Sequence, residues 1–469
     1  MGFEADAERL VRLLAAYQKM SEAKERPVVR LAPLGELVRQ LQLEELIDQG
    51  GLTGDGLEHF LNRYLDATTR LHHPGYLAHQ VSVPHYAGAL GALVDGFTNN
   101  PMAIYEMGPP AAAIECFMIN WLLQRVGWKS APLFAEDELG GHYAGGVLTH
   151  GGSLANLTAL IAARSHIAPE VWSEGNPGDL AILASGQSHY SVTRAAGILG
   201  IGARGIVPLE LDRRGVVIPD RLPAALDRVH RMGCRPMALV ANACSTSFGL
   251  YDPLAEIGAF CREQGIWFHV DGAHGASALL SPHQRRRLRG VELADSLTWD
   301  AHKMMRTPPL CAAVLVRDHR TLDLAFEQEA SYLFHDKQQP GVDLIHRTVE
   351  CTKAALGLKL FMVVGAMGEK GLADYLDRQV ELAHQAWRYL TDQSDFSCPV
   401  EPQSNILCFA YRDWDREHLR VRDKLIDDGN FHLSTTQAGG RWYLRAVFMS
   451  PTTEMSDVVS LVEAIRRQK

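Results

Sequence analysis

Between about residues 145 and 317 the chain alternates short apolar runs with amphipathic stretches, and this alternation narrows the possible folds more than any other feature. "GGVLTH" is followed by a helix from Ser153, "LAILAS" by one over about 189–199, "GIVPLEL" by one beginning near Pro219, and "MALVANA" by one through "DPLAEIGAFCREQG". "IWFHVD", "DSLTWD" and "CAAVLVR" complete seven strand-length runs. Strands alternating with helices predict an α/β domain whose mainly parallel sheet is covered on both faces.

The flanks read differently. Residues 1 to about 65 space their apolar positions by three and four in "ADAERLVRLLAAYQKM", "LGELVRQLQLEELI" and "GDGLEHFLNRYLDATTRL", which predicts helices. A long helical stretch is expected from about 350 to 392, and a small α+β region beyond it holds "NILCFAYR", "RWYLRAVFM" and a final helix introduced by "SPTTEMSDVV". The expected division is an N-terminal helical segment over 1–85, a large α/β domain over 86–350 and a small C-terminal α+β domain over 351–469.

Charge and cysteine content exclude several classes. A net charge of −9 with one short basic run, "HQRRRLR", argues against nucleic-acid binding. The start, "MGFEADAERLVRLLAAYQ", has neither a basic leader nor an apolar core, so no secretory signal is expected. No stretch reaches the roughly 18 apolar residues of a membrane span. Eight cysteines without a C-x-x-C pair suit reduced thiols in the cytoplasm.

Three familiar motifs fail on context. "GIGARG" spells a dinucleotide loop, but a helix precedes it and a strand follows, the reverse of what pyrophosphate binding needs. "HVDGAHG" places His269 and Asp271 on one face of a strand, yet no further metal ligands are evident, so no metal is expected. No G-x-S-x-G turn supports a serine hydrolase.

Four other segments fall where a predicted strand meets a loop or helix. Gly151, Gly152 and Ser153 open a helix, whose free N–H groups and hydroxyl favour a phosphate. His189 follows a strand, where its imidazole can stack on a flat ring. Asp271 can hold a protonated pyridine nitrogen. Lys303, in "DSLTWDAHKMM", is a lysine within an apolar, strand-like run and can form a Schiff base with an aldehyde. A phosphate seat, a stacking group, a carboxylate and an amine together describe a site for pyridoxal 5'-phosphate.

The chain resembles the pyridoxal-phosphate-dependent group II amino-acid decarboxylases, with relatives among the glutamate, cysteine sulfinate, aromatic amino-acid and diaminobutyrate enzymes. The resemblance runs in order from about residue 70 through "HHPGYLAH", "NNPMAIYEMGPPAAAIE", "GGSLANL", "SHYS", "ACSTSFGLYDP", "HVDGAHG", "ADSLTWDAHKMM", "TKAALGLKLF" and "RWYLRAVFMSPTTE". Its "HKMM" ending looks most like the glutamate and cysteine sulfinate branch. It implies a fold-type I architecture with a seven-stranded-type sheet, and a homodimer whose N-terminal helices pack on the partner subunit. It further implies Lys303 as the Schiff-base lysine, Asp271 on the pyridine nitrogen, and His189 and Ala273 on the two ring faces. Thr246 would lie beside the ring, Gly152, Ser153, Asp300 and His302 at the phosphate, and His79 along the substrate pocket. The implied reaction removes carbon dioxide from an amino-acid substrate and leaves a primary amine.

Three departures from the family pattern stand out. Lys353 replaces an arginine associated with the substrate carboxylate, giving charge without the bidentate fork. Asp300 replaces an asparagine, which puts a carboxylate at the phosphate end. The family's loop tyrosine, which reprotonates Cα, has no counterpart in "LFHDKQQPGVDLIHRTVE" over 333–350. His335 or His346 can supply the proton instead. Without efficient reprotonation, oxygen can capture the carbanion and the product becomes an aldehyde.

Overall fold

The structure is a computed structural model that describes residues 2–133, 141–326 and 341–468. Its contacts divide the chain into two compact units. The larger holds Pro84–Val380 with Pro402–Ser404, and the smaller holds the residues up to Val83, Glu381–Glu401 and the chain from Asn405 on. This differs from the expected boundaries at 85 and 350. The helix Leu356–Thr391 explains why. Its first half sends Leu356, Leu360 and Leu372 into the core of the larger unit, whereas Leu382, Ala383, Ala386 and Leu390 belong to the core of the smaller one. Gly368, at φ 68°, breaks this helix internally.

In the smaller unit a two-residue strand, β1 (Tyr76–Leu77), opens the strand sequence. The larger unit follows with β2 (Gly145–Thr149), β3 (Leu180–Ser185), β4 (Ile206–Leu209), β5 (Arg235–Asn242), β6 (Trp267–Asp271), β7 (Ser296–Asp300) and β8 (Ala312–Val316). These are the seven runs expected from the sequence, and they form one sheet in the order β2-β8-β7-β6-β5-β3-β4. Neighbours from β7 to β4 are parallel, and β8 is antiparallel to both β7 and β2. Six of the seven strands therefore end at the same edge. Nearly every residue of β2, β3, β6, β7 and β8 is buried, as a sheet covered on both faces requires.

The smaller unit adds β9 (Phe396–Ser397), β10 (Ile406–Tyr411), β11 (His432–Ala438) and β12 (Arg441–Val447), paired in the order β1-β11-β12-β10-β9. The N-terminal helices Phe3–Glu22 and Gly54–Ala67 form as expected, but the middle one splits into Leu34–Gln40 and Leu43–Gln49 at Gln42, whose φ is 54°. Among the described residues no helix is long and apolar enough to cross a membrane.

Candidate active site

The shared edge of the large sheet gathers the residues singled out from the sequence. β2 runs into Gly151, at φ 106° and ψ 158°, a conformation only glycine adopts without strain, and the helix Gly152–Ile167 starts immediately after. The N–H groups of Leu154 and Ala155 already bond to Gly151 O, so Gly152 and Ser153 present the open amides of the helix start. A Cβ on Gly152 would lie 2.6 Å from Asp300 Oδ2, so this close approach needs glycine. Thr246, in the turn after β5, is exposed.

Asp271 ends β6 and is almost fully buried. Its Oδ1 accepts from Ala273 N–H at 3.2 Å and its Oδ2 from Asn156 Nδ2 at 3.0 Å. The same amide nitrogen donates to Ser191 Oγ at 2.9 Å, and Asn156 Oδ1 lies 3.1 Å from His269 Nε2. His189 caps the helix Tyr190–Ile198, with its Nδ1 accepting from Ser191 N–H at 3.3 Å. Burial lowers the pKa of His189 and nearby Lys303 pushes it the same way, against the opposing pull of Asp271 and Asp300. His189 is therefore favoured as the neutral ring, beside both carboxylates and the amine.

Lys303 is not on a strand. β7 stops at Asp300, and the lysine sits in the turn that follows, because a strand there would bury an ammonium between two covered faces. Its Nζ lies 3.2 Å from Asp300 Oδ2. His302 Nε2 is 3.6 Å from the same oxygen, while its Nδ1 is 2.8 Å from Cys311 O. Asp300 Oδ1 is buried without a hydrogen-bond partner. The carboxylate expected to face a phosphate thus faces the amine. Ala273 O accepts from Asp300 N–H at 3.1 Å, which ties the ends of β6 and β7 together.

The remaining nominated residues have other surroundings. Lys353 has a fully buried side chain, with its Nζ paired to Glu115 and donating to Leu148 O at 2.6 Å; Glu115 Oε1 also accepts Leu148 N–H at 2.9 Å. The expected substrate contact is corrected accordingly: the ammonium is committed to a sealed pair behind β2. His79 belongs to the smaller unit, where its ring meets His432 edge-on at 5.7 Å and Arg445 donates to Ala78 O and Gln80 Oε1 close by. His346 lies in the turn Leu344–Arg347, beside Ile345, whose N–H bonds to Ala103 O. His335 lies outside the described residues.

Sequence reasoning missed Asn156, Ser191 and Ser296, which hold the nominated residues in place. One signal was available: Asn156 is the one amide side chain within "LANLTALIAA", a mostly apolar stretch.

Residues 64–412 match the model of the pyridoxal-dependent decarboxylase conserved domain. The chain belongs to this family. Members are pyridoxal-phosphate-dependent carboxy-lyases, and pyridoxal 5'-phosphate is the cofactor of this one. It is 27% identical to the acidic amino acid decarboxylase GADL1 of Bos taurus, over 99% of this chain and 90% of that protein, and 28% identical to the Mus musculus enzyme of the same name, over 92% and 80%. Its fold matches that of mouse CSAD with a TM-score of 0.90 at 24% identity, covering 99% and 98% of the two chains. It also matches Rhodiola rosea 4-hydroxyphenylacetaldehyde synthase, with a TM-score of 0.84 at 23% identity over 99% and 97%. The decarboxylase architecture is fold-type I.

The site's own chemistry fits the cofactor. Asp271 is a buried acceptor anchored on both oxygens, Lys303 keeps a fifth of its side chain exposed, and the helix start at Gly152 leaves amides for an anion. Among the described residues no group of three or more His, Cys, Asp or Glu side chains could hold a metal ion.

Proposed function

We propose that the protein removes the α-carboxylate of an L-amino acid as carbon dioxide and releases a primary amine, with Lys303 holding the cofactor covalently through its ε-amine. One observation supports this reading: Lys303 follows the end of β7, Asp271 ends β6 and His189 follows β3 at one sheet edge, with Asn156 and Ser191 hydrogen-bonding the last two into one network. When bound, the cofactor supplies a protonated ring that draws electrons from the bond broken at Cα. Asp271 accepts the ring N–H, His189 and Ala273 cover its two faces, and Thr246 borders it. Gly152, Ser153 and His302 bind the phosphate, and Asp300 holds Lys303. The protein selects the reaction by which bond at Cα it holds perpendicular to the ring. His346 or His335 returns a proton to Cα.

A second reading rests on one sequence observation, the lack of tyrosine over 333–350. If protonation at Cα is slow, molecular oxygen would take the two electrons left there and become hydrogen peroxide, and water would then release the product as an aldehyde with ammonia. Other bond cleavages at Cα or Cβ belong to the same alternative. The test is to incubate cofactor-loaded protein with a panel of amino acids and assay amine, aldehyde, carbon dioxide and peroxide together. Amine and carbon dioxide without peroxide support the first reading; aldehyde with peroxide supports the second.

We also infer a homodimer. The helix Tyr86–Thr98 exposes Tyr86, Leu90, Leu93, Val94 and Phe97 along one stripe, with Tyr86 and Phe97 about two-thirds exposed. A second copy of the chain covers such a stripe most simply. Light scattering should give twice the chain mass, and Leu90→Asp with Phe97→Asp should give the monomer.

A further inference from the structure

Behind the sheet edge, one chain of hydrogen bonds runs from a buried indole to both residues that flank the cofactor, and each of its directions can be fixed. The indole N–H of Trp267 can only donate, and it does so to Ser296 Oγ at 2.8 Å. The Ser296 hydroxyl thus keeps its own hydrogen to give to His269 Nδ1, also at 2.8 Å, and the Asn156 end of the network settles that direction. With Nδ1 accepting, His269 carries its hydrogen on Nε2 and gives it to Asn156 Oδ1 at 3.1 Å. That sets the amide so that Nδ2 faces Asp271 Oδ2 and Ser191 Oγ. The opposite setting would aim the amide oxygen at a carboxylate, which has nothing to donate. Ser191, having accepted, points its hydroxyl to His189 Nδ1 at 2.8 Å, so the His189 hydrogen stands on Nε2.

We propose that Asn156, His269 and Ser296 are positioning residues that fix, in one step, Asp271 as an acceptor toward the cofactor ring and His189 in its Nε2–H form. This rests on the cofactor reading above. His269 suits the role because its side chain has no exposed surface, and burial holds its pKa down at about 4, so the ring stays neutral and cannot donate at both ends. It also explains a polar histidine at the centre of an apolar strand, which the sequence left without a role once a metal pair was set aside. Every buried donor along the chain meets an acceptor, which makes the network rigid rather than costly.

The test compares wild type with His269→Leu, His269→Gln and Ser296→Ala. Each is titrated with pyridoxal 5'-phosphate while the protein-bound visible absorption band is followed, and cofactor trapped on Lys303 by borohydride is counted by mass spectrometry. Thermal melts run alongside. Leucine removes the hydrogen that sets Asn156, so His269→Leu should bind the cofactor about ten-fold more weakly and show an altered visible band per trapped molecule. Glutamine keeps an amide donor near Nε2 and should restore most of the band. Ser296→Ala, a smaller change that keeps His269, decides the matter if the leucine variant does not fold; its band should shift in the same direction. An unchanged band and affinity in the folded variants would overturn the relay. So would equal losses in the glutamine and leucine variants that simply follow their melting temperatures. Wild type that traps no cofactor on Lys303 would instead defeat the underlying reading.

Discussion

Two lysines of the larger unit each sit beside a carboxylate, and their surroundings separate them. Lys303 reaches Asp300 at 3.2 Å from an open turn, with a fifth of its side chain exposed and one oxygen of its partner unbonded. Lys353 meets Glu115 with no exposed surface on its side chain, and it also holds a carbonyl of β2, the strand at one edge of the sheet. An amine that must react needs a partner it can leave. A buried ammonium bound on several sides is a structural tie, because freeing it would strand a charge in the core.

The comparison breaks most severely at Lys303 itself. Lys303→Ala should abolish borohydride trapping of the cofactor and lower turnover by about 10³-fold or more, with little change in the unfolding midpoint. Lys353→Met should do the reverse. Leaving Glu115 unpaired should cost about 3–5 kcal/mol of stability, read by denaturant unfolding, while the folded fraction still traps the cofactor. Adding Glu115→Leu should recover much of that loss, and failure to recover it would mean that Lys353 does more than neutralise Glu115.

Acid should sharpen the contrast by acting on histidines rather than lysines. Burial holds His269 in the larger unit and His73 in the smaller one at about 4, below the ordinary histidine value. As pH falls from about 6.5 towards 4, the unfolded chain takes up protons that the folded protein refuses. Stability should therefore fall over this window, by at most about 1.4 kcal/mol per pH unit for each histidine. His269→Gln should flatten the slope by one histidine's share, as measured by unfolding at successive pH values.

The smallest effect belongs to Asp300→Asn. It removes a carboxylate near the phosphate seat and loosens Lys303, so cofactor capture should tighten about ten-fold. Pyridoxal without its phosphate separates the two causes. A gain with both compounds points to the freed amine, and a gain with the phosphate ester alone points to charge repulsion.

The sequence made the large sheet legible because five of its seven runs are buried throughout and most of their positions are apolar. β11 was missed for the opposite reason: "HLSTTQA" is polar and only partly buried, and its place depends on pairing with β12 rather than on its own apolar pattern. The split at Gln42 was hidden because the apolar spacing continues through it. At the site, Gly152, His189, Asp271 and Lys303 could be read from their positions at strand ends. The fate of Lys353 could not, since Glu115 lies far away in sequence and no local pattern distinguishes a lysine that meets substrate from one sealed against a distant acid. The relay was illegible for the same reason: Asn156, His269 and Ser296 come together only once three separate elements have packed.

The antiparallel strand β8 sets an order of assembly. Among the described residues β2, which delivers Gly151 and the helix start to the site, pairs in the sheet with β8 alone, Thr149 opposite Ala312. A ribosome that has just made β2 has not yet made its partner, and this non-local pairing waits for most of the domain to be synthesised. The lysine hairpin between β7 and β8 arrives with that same partner. The anion seat and the amine therefore become competent at nearly the same moment, so the nascent chain has no long interval in which it could hold one end of a reactive aldehyde without the other.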